Sequence, residues 1–202
     1  MLLSEQDPED ISRANQAVSK ASSPVRERIT RFDVNWNIIA WPGTQWAKRV
    51  FPNMAPEAAQ KKLANAIFKA SRVDRQDPLG AWDAHNIKLR ERTDWLNSKH
   101  FVALHFCGEG TDLTVGLADG HEWMGGASVA KNGITCNPNI PSEEVFTTPH
   151  ALKVNGYVRS TKPLSHQGTL IKDISVAFKD GSITEASASK GQEVFLKLID
   201  TD

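Results

Sequence analysis

An α+β fold, helical in its first half and mostly antiparallel sheet in its second, is predicted by three observations. Apolar residues recur at three- and four-residue intervals before residue 100 and at two-residue intervals after it. A hairpin signal, Asp180-Gly181 between alternating apolar runs, lies in the second half. The 202 residues are 40% hydrophobic and 24% charged, an ordinary globular composition on a chain long enough to bury a core.

Ile11, Ala14, Val18 and Ala21 share a helical face, and Pro24 is expected to close that helix. Phe32 to Trp41 carries Val34, Trp36, Ile38, Ile39 and Trp41, and reads as a strand or extended core segment ended by Pro42-Gly43. Thr44 is placed to cap a short helix running through Val50. Pro56 suits a first helical turn, followed by the stripe Ala59, Leu63, Ala66, Ile67 and Ala70. Asp77-Pro78 opens another helix, in which Trp82, Leu89 and Leu96 repeat at seven residues and mark a buried face.

Phe101 to Phe106 is a nearly continuous apolar run before Gly108, as in a buried strand. Leu113, Val115 and Leu117 alternate with polar or small residues, and so do Ile174, Val176 and Phe178. Asp180-Gly181 then turns the chain into a strand from Ile183 to Ala188. After Gly191 a last helix groups Val194, Phe195 and Leu198, and ends at Asp202 without cap, glycine or proline, as in a truncated chain.

Lys plus Arg and Asp plus Glu both total 24, so no global charge argues for nucleic acid or an anionic membrane. The apolar runs are too short to span a bilayer, and Met1 to Asp7 lack the basic start and apolar core of a signal peptide. Cys107 and Cys136 form neither a disulfide framework nor a Cys-x-x-Cys knuckle. A reduced, cytoplasmic protein is expected.

The most informative stretch is Asn139-Ile140-Pro141-Ser142-Glu143-Glu144-Val145-Phe146-Thr147-Thr148-Pro149-His150. Two adjacent carboxylates lie between prolines that disfavour helix, with Val145 and Phe146 as apolar anchors. In extended backbone their side chains point to opposite faces, so one can enter a site while the other meets solvent or a donor. Such a pair suits a metal ligand or a general base; a solvated acidic loop is the alternative.

This stretch resembles the signature of the aminopeptidase T / aminopeptidase S family of metallopeptidases. The likeness continues in His105-Phe106 with Gly108, in Gly110 to Leu117, and in Trp123 with Gly125-Gly126. It also takes in Cys136-Asn137-Pro138-Asn139, Arg159 with Lys162-Pro163-Leu164, Gly168, Asp83-Ala84-His85-Asn86 and Trp46-Ala47-Lys48. Members of that family are longer, and the chain resembles their central portion. The resemblance implies a fragment of a larger two-domain α/β metallopeptidase. Residues 1–100 would end its N-terminal region, and residues 101–202, with Glu143 and Glu144, would start the catalytic region. It implies removal of N-terminal residues from peptides, two zinc or cobalt ions per site and a homodimer, with neither nucleic acid nor membrane as partner. Glu144 is the implied metal ligand; Glu143 and His150 are candidates for places beside the metal or on the substrate side. The alternative is a truncated, non-catalytic scaffold or dimerisation fragment, since the family's remaining ligands would follow Asp202.

Metal-ligand chemistry also admits His105, Asp112, His150 and His166, but no His-x-x-x-His spacing makes an autonomous site. His105 reads as a core histidine, His85 as a packing or capping residue, and Asp112 as a cleft or turn residue. Arg159 and Lys162 flank Pro163 and could receive a peptide carboxylate or partner, or stand as exposed strand-end charges. Cys107 shares a strand face with His105, yet no activating turn or oxyanion arrangement follows. Six tryptophans without basic interleaving point to core packing rather than base stacking.

Overall fold

The computed structural model describes residues 8–166 and 168–200. The first part of the chain runs α1 (Pro8–Thr30), β1 (Ile38–Ile39), α2 (Thr44–Val50), α3 (Pro56–Ala70) and α4 (Pro78–Lys99). The second runs β2 (Ala103–Gly108), β3 (Thr111–Leu117), β4 (Met124–Gly125), β5 (Ser128–Val129), β6 (Thr135–Cys136), β7 (Asn139–Ile140) and β8 (Val145–Phe146). It ends with β9 (Pro149–Arg159), β10 (Leu164–His166), β11 (Thr169–Ile171), β12 (Ser175–Lys179), β13 (Ser182–Ser187) and α5 (Gln192–Ile199). The α+β expectation holds, and nearly all strand pairs are antiparallel, β1 with β7 being parallel. Among the described residues no helix is long and apolar enough to cross a membrane.

Two compact units form, one from Met1–Pro24, His100–Glu122 and Thr147–Asp202, the other from Val25–Lys99 and Trp123–Phe146. The sequence places a division after residue 100. In the structure Trp123–Phe146, which carries Glu143 and Glu144, belongs to the unit of α2, α3 and α4 instead. Its ladders are two residues long, and side-chain hydrogen bonds tie it to α4, to Arg72 and to Asp33 and Asn35.

The first unit is built on a five-stranded antiparallel sheet in the order β13-β12-β9-β3-β2. The helix α5 buries Phe195 with Ile171 and Val176, joined by Val158, Phe178 and Ala186. The Asp180-Gly181 hairpin forms as expected. Both residues take positive φ, 50° and 84°, and a Cβ on Gly181 would lie 1.8 Å from the Ala151 carbonyl oxygen, so only glycine fits there. Phe101–Phe106 departs from expectation. It contributes to β2, an edge strand largely open to solvent, because it pairs on one side only.

In the second unit Ala47 of α2 packs on Ala59 and Leu63 of α3, with Phe51 and Ile67 around them. Pro56 opens α3 as its first residue. Thr44 does not cap α2: Gly43 holds the N-cap position and Thr44 is already helical. Ile38 and Ile39 are exposed and pair only with Asn139 and Ile140, so the stretch from Phe32 to Trp41 is not the core strand its composition suggests. Helix α1 continues past Pro24, which removes one internal hydrogen bond without ending it. Of the tryptophans Trp82 is buried, whereas Trp41, Trp46 and Trp95 are exposed, so core packing describes only some of them. The uncapped stop at Asp202 and the Met1 to Asp7 segment lie outside the described residues.

Candidate metal-ligand site around Glu144

Construction of the site begins at the end of α3. There the Val73 amide donates to the Phe68 carbonyl and the Arg72 amide to Lys69, the double bond of a Schellman ending. That ending needs a left-handed residue, and Arg72 supplies it with φ 61° where glycine is the usual choice. The turn directs the Arg72 side chain onto the first turns of α4, where it is only 20% exposed. Its guanidinium carbon sits 5.5 Å from the Trp82 ring centre. The Trp82 indole N–H donates to the Ser71 carbonyl at 2.8 Å, so α4 grips the same turn from below.

Asp77 starts α4 by accepting the Gly80 amide at 2.9 Å, an N-cap bond. The buried stripe that follows is Trp82, His85, Leu89 and Thr93, one face at helical spacing. His85 is 7% exposed and meets Trp82 edge to face at 5.5 Å. Its Nδ1 lies 3.2 Å from Arg72 Nη2, and its Nε2 2.6 Å from the Ser142 carbonyl oxygen. Arginine only donates and a carbonyl only accepts, so both contacts are satisfied by the neutral ring with its proton on Nε2.

Arg72 also donates to Glu143 Oε1, and His85 Nε2 is 3.7 Å from Glu143 Oε2. The Arg72 hydrogen bond holds the Glu143 carboxyl below the usual glutamate range, against desolvation and helped by the charges of Arg72 and Arg92. Val145 lines a surface groove with Lys88, Arg92, Trp95 and Leu96 of α4. Glu143 and Val145 thus both meet the α4 side. Glu144, between them, is exposed, and its carboxylate has no partner among the described residues. Its amide donates to Ser142 Oγ at 3.3 Å.

A second set of bonds holds the chain after Glu144. Strand β8 pairs with β4, Met124 opposite Phe146 and Gly125 opposite Val145. Strand β4 is tied to α4 by Asn97, which accepts the Trp123 amide at 2.7 Å and donates to the Trp123 carbonyl at 3.1 Å. Asn86 accepts the Ala127 amide at 3.1 Å just beyond the strand. A Cβ on Gly125 would stand 2.7 Å from the Glu144 carbonyl oxygen, so glycine is what allows β4 this close to the Glu144 backbone. The five-stranded sheet therefore does not include this segment. Glu144 precedes a two-stranded ladder that α4 supports.

The remaining candidates fall elsewhere. His105 is not a core residue: it is 58% exposed on β2, with Nε2 2.7 Å from Asp112 Oδ1 on β3. Asp112 is the second residue of β3 rather than a turn residue, opposite Cys107 and Tyr157. His150 lies at the start of β9, where its Nδ1 accepts the Leu152 amide at 3.1 Å, a local structural bond. His166 ends β10, and Arg159 is exposed at the end of β9. His150 and Glu144 belong to different units. Among the described residues, no three of His, Cys, Asp and Glu gather to hold a metal ion. The described residues therefore do not make a complete metal centre.

His85 and Asn86 stand in a motif visible in the sequence, and the packing of His85 agrees with the reading made there. Arg72 was missed. Nothing in Ala70-Ser71-Arg72-Val73 announces it, because its partner Glu143 is 71 residues away.

The family model described as thermophilic metalloprotease (M29) matches residues 1–202. The chain is 50% identical over 195 residues to aminopeptidase T of Thermus aquaticus, covering 96% of this chain and 48% of that protein. It is 42% identical over 201 residues to aminopeptidase 2 of Geobacillus stearothermophilus, of which it covers 49%. The solved structure of wild-type AmpT from Thermus thermophilus superposes with a TM-score of 0.90 at 46% identity, over 99% of this chain and 49% of that one. The chain thus spans about half the length of the relatives it matches. With the family model covering all 202 residues, the chain belongs to the thermophilic metalloprotease (M29) family.

Proposed function

We propose that this chain is part of a metal-dependent aminopeptidase, in which Glu144 supplies one ligand of a two-metal centre of zinc or cobalt. The observation that carries the reading is the inequality of two adjacent carboxylates in an M29 chain: Glu143 is neutralised by Arg72, whereas Glu144 stands exposed and unpartnered among the described residues. A carboxylate left free beside a paired one is the donor that a divalent ion can take without breaking an existing bond. Such an ion, when bound, polarises a scissile carbonyl and lowers the pKa of a bound water. The other ligands lie outside the cluster of Arg72, His85, Glu143 and Glu144. In the same reading the peptide is bound by its free N-terminus, residues 101–202 begin the catalytic region, and residues 1–100 end the N-terminal one. Glu143 and His150 act beside the metal or on the substrate side, and the protein works as a cytoplasmic homodimer.

A second reading, a non-catalytic scaffold or dimerisation fragment, is favoured by the missing three-donor cluster among the described residues. The experiment is zinc titration by calorimetry together with hydrolysis of leucine p-nitroanilide, in a form as long as the aminopeptidase relatives. The Glu144→Ala variant is expected to lose one tight zinc and chelator-sensitive turnover, and Glu143→Ala to lose less. Equal losses, or a larger one for Glu143, would reverse the assignment. The 202-residue chain alone is expected to hydrolyse little; enzyme-like, chelator-sensitive rates from it would mean that His105, Asp112, His150 or His166 completes a site.

A further inference from the structure

We infer that Arg72 and His85 are positioning residues that make Glu143 and Glu144 unequal: together they occupy the Glu143 carboxylate and the Ser142 carbonyl, leaving the Glu144 carboxylate as the unpaired one of two exposed neighbours. The proposal rests on the reading of Glu144 as a metal ligand for its purpose, though not for its geometry. Three features carry it. Arg72 holds the left-handed position that closes α3, where glycine would suffice for the backbone, so its side chain is the reason for an arginine there. That side chain is mostly covered, and one nitrogen, Nη2, reaches both Glu143 and His85 Nδ1, serving two acceptors with its two hydrogens. His85 is buried and has both ring nitrogens engaged, one by Arg72 and one by the Ser142 carbonyl. The chain from Ser142 to Glu143 is therefore held through backbone and side chain together. Glu143 and Val145 both meet the Arg72 and α4 side, and Glu144 between them is exposed without a partner among the described residues.

Carboxyl labelling of the 202-residue chain, with a water-soluble carbodiimide and glycine ethyl ester, read residue by residue by mass spectrometry, tests this without any metal. In the wild type Glu144 is expected to label faster than Glu143. Arg72→Gly keeps the left-handed turn and removes the guanidinium, so α3 should still form, and the melting midpoint should fall by only about 2–8 °C as His85 Nδ1 loses its donor. Glu143 labelling should rise about threefold, toward that of Glu144, as its ion pair is lost. Amide exchange across Glu143–Val145 should quicken about tenfold while α3 stays protected. Arg72→Lys, which keeps the charge on a shorter side chain with a differently placed head group, should fall between the two. His85→Leu should free the same amides, and His85→Gln, which offers both a donor and an acceptor, should restore part of the protection. Equal labelling of the two glutamates in the wild type would overturn the inference. So would unchanged Glu143 labelling in Arg72→Gly, or wild-type exchange in His85→Leu. None of these outcomes bears on the metal-ligand reading, which fails separately if Glu144→Ala leaves zinc affinity unchanged.

Discussion

Two histidine–carboxylate pairs in this chain invite comparison. His105 and Asp112 meet across neighbouring strands at 2.7 Å, each 58% exposed. His85 and Glu143 are 58 residues apart in the chain and their ring nitrogen and carboxylate oxygen are 3.7 Å apart, yet His85 is 7% exposed. Distance alone would rank the first pair higher. Water competes for both groups on the open sheet, so the net gain of that contact is small. At His85 the ring is enclosed by Trp82, and its two nitrogens are bound by Arg72 and Ser142, so breaking one contact strands buried polar groups. Burial and shared partners, rather than the shortest separation, decide which pair organises its surroundings.

The largest way to break this contrast is to remove the wall of the buried pair. Trp82→Ala should destabilise the second unit by about 3–5 kcal/mol, through lost burial and the lost bond to the Ser71 carbonyl. Urea unfolding followed by circular dichroism would read this, and a loss below about 1 kcal/mol would show that the tryptophan packs loosely. Arg72→Ala comes next, at about 1–2 kcal/mol after allowing for the exposure of Glu143, because it leaves His85 Nδ1 without its donor.

Acid sharpens the comparison further. The folded Glu143 carboxyl titrates below the ordinary glutamate value because Arg72 bonds its ionised form. The unfolded chain therefore binds the proton first, and stability declines as pH falls. The contribution is complete above the unfolded value, about 4.3, and is lost as pH drops through the lower folded one. Asp33, held down by its hydrogen bond to Lys131, acts in the same direction. Melting midpoints between neutral pH and pH 3 should fall more steeply in the wild type than in Arg72→Ala; parallel curves would remove Glu143 from the account. The smallest effect is expected from His105→Ala or Asp112→Ala, each within about 0.5 kcal/mol at neutral pH. A double-mutant cycle on that exposed pair giving more than about 1 kcal/mol would collapse the distinction between the two pairs.

By itself the sequence determined what is local and periodic. Pro56 and Asp77-Pro78 start helices because their backbone and capping chemistry is complete within a few residues. Asp180-Gly181 turns a hairpin because positive φ at two successive positions is a property of those residues. The two prolines around Glu143 and Glu144 lead to the expectation that alternation separates them, and in the structure Glu143 meets Arg72 while Glu144 does not. Composition misled where burial depends on what lies opposite: Phe101–Phe106 and Ile38-Ile39 look like core strands, but their neighbours in space leave them open. Which glutamate is neutralised was decided only by the tertiary structure. That choice needs the Arg72 turn at the end of α3, His85 on the buried face of α4 and Asn97 holding β4. Those partners lie 26 to 71 residues from the groups they hold, and nothing in a local pattern encodes a distance of that length.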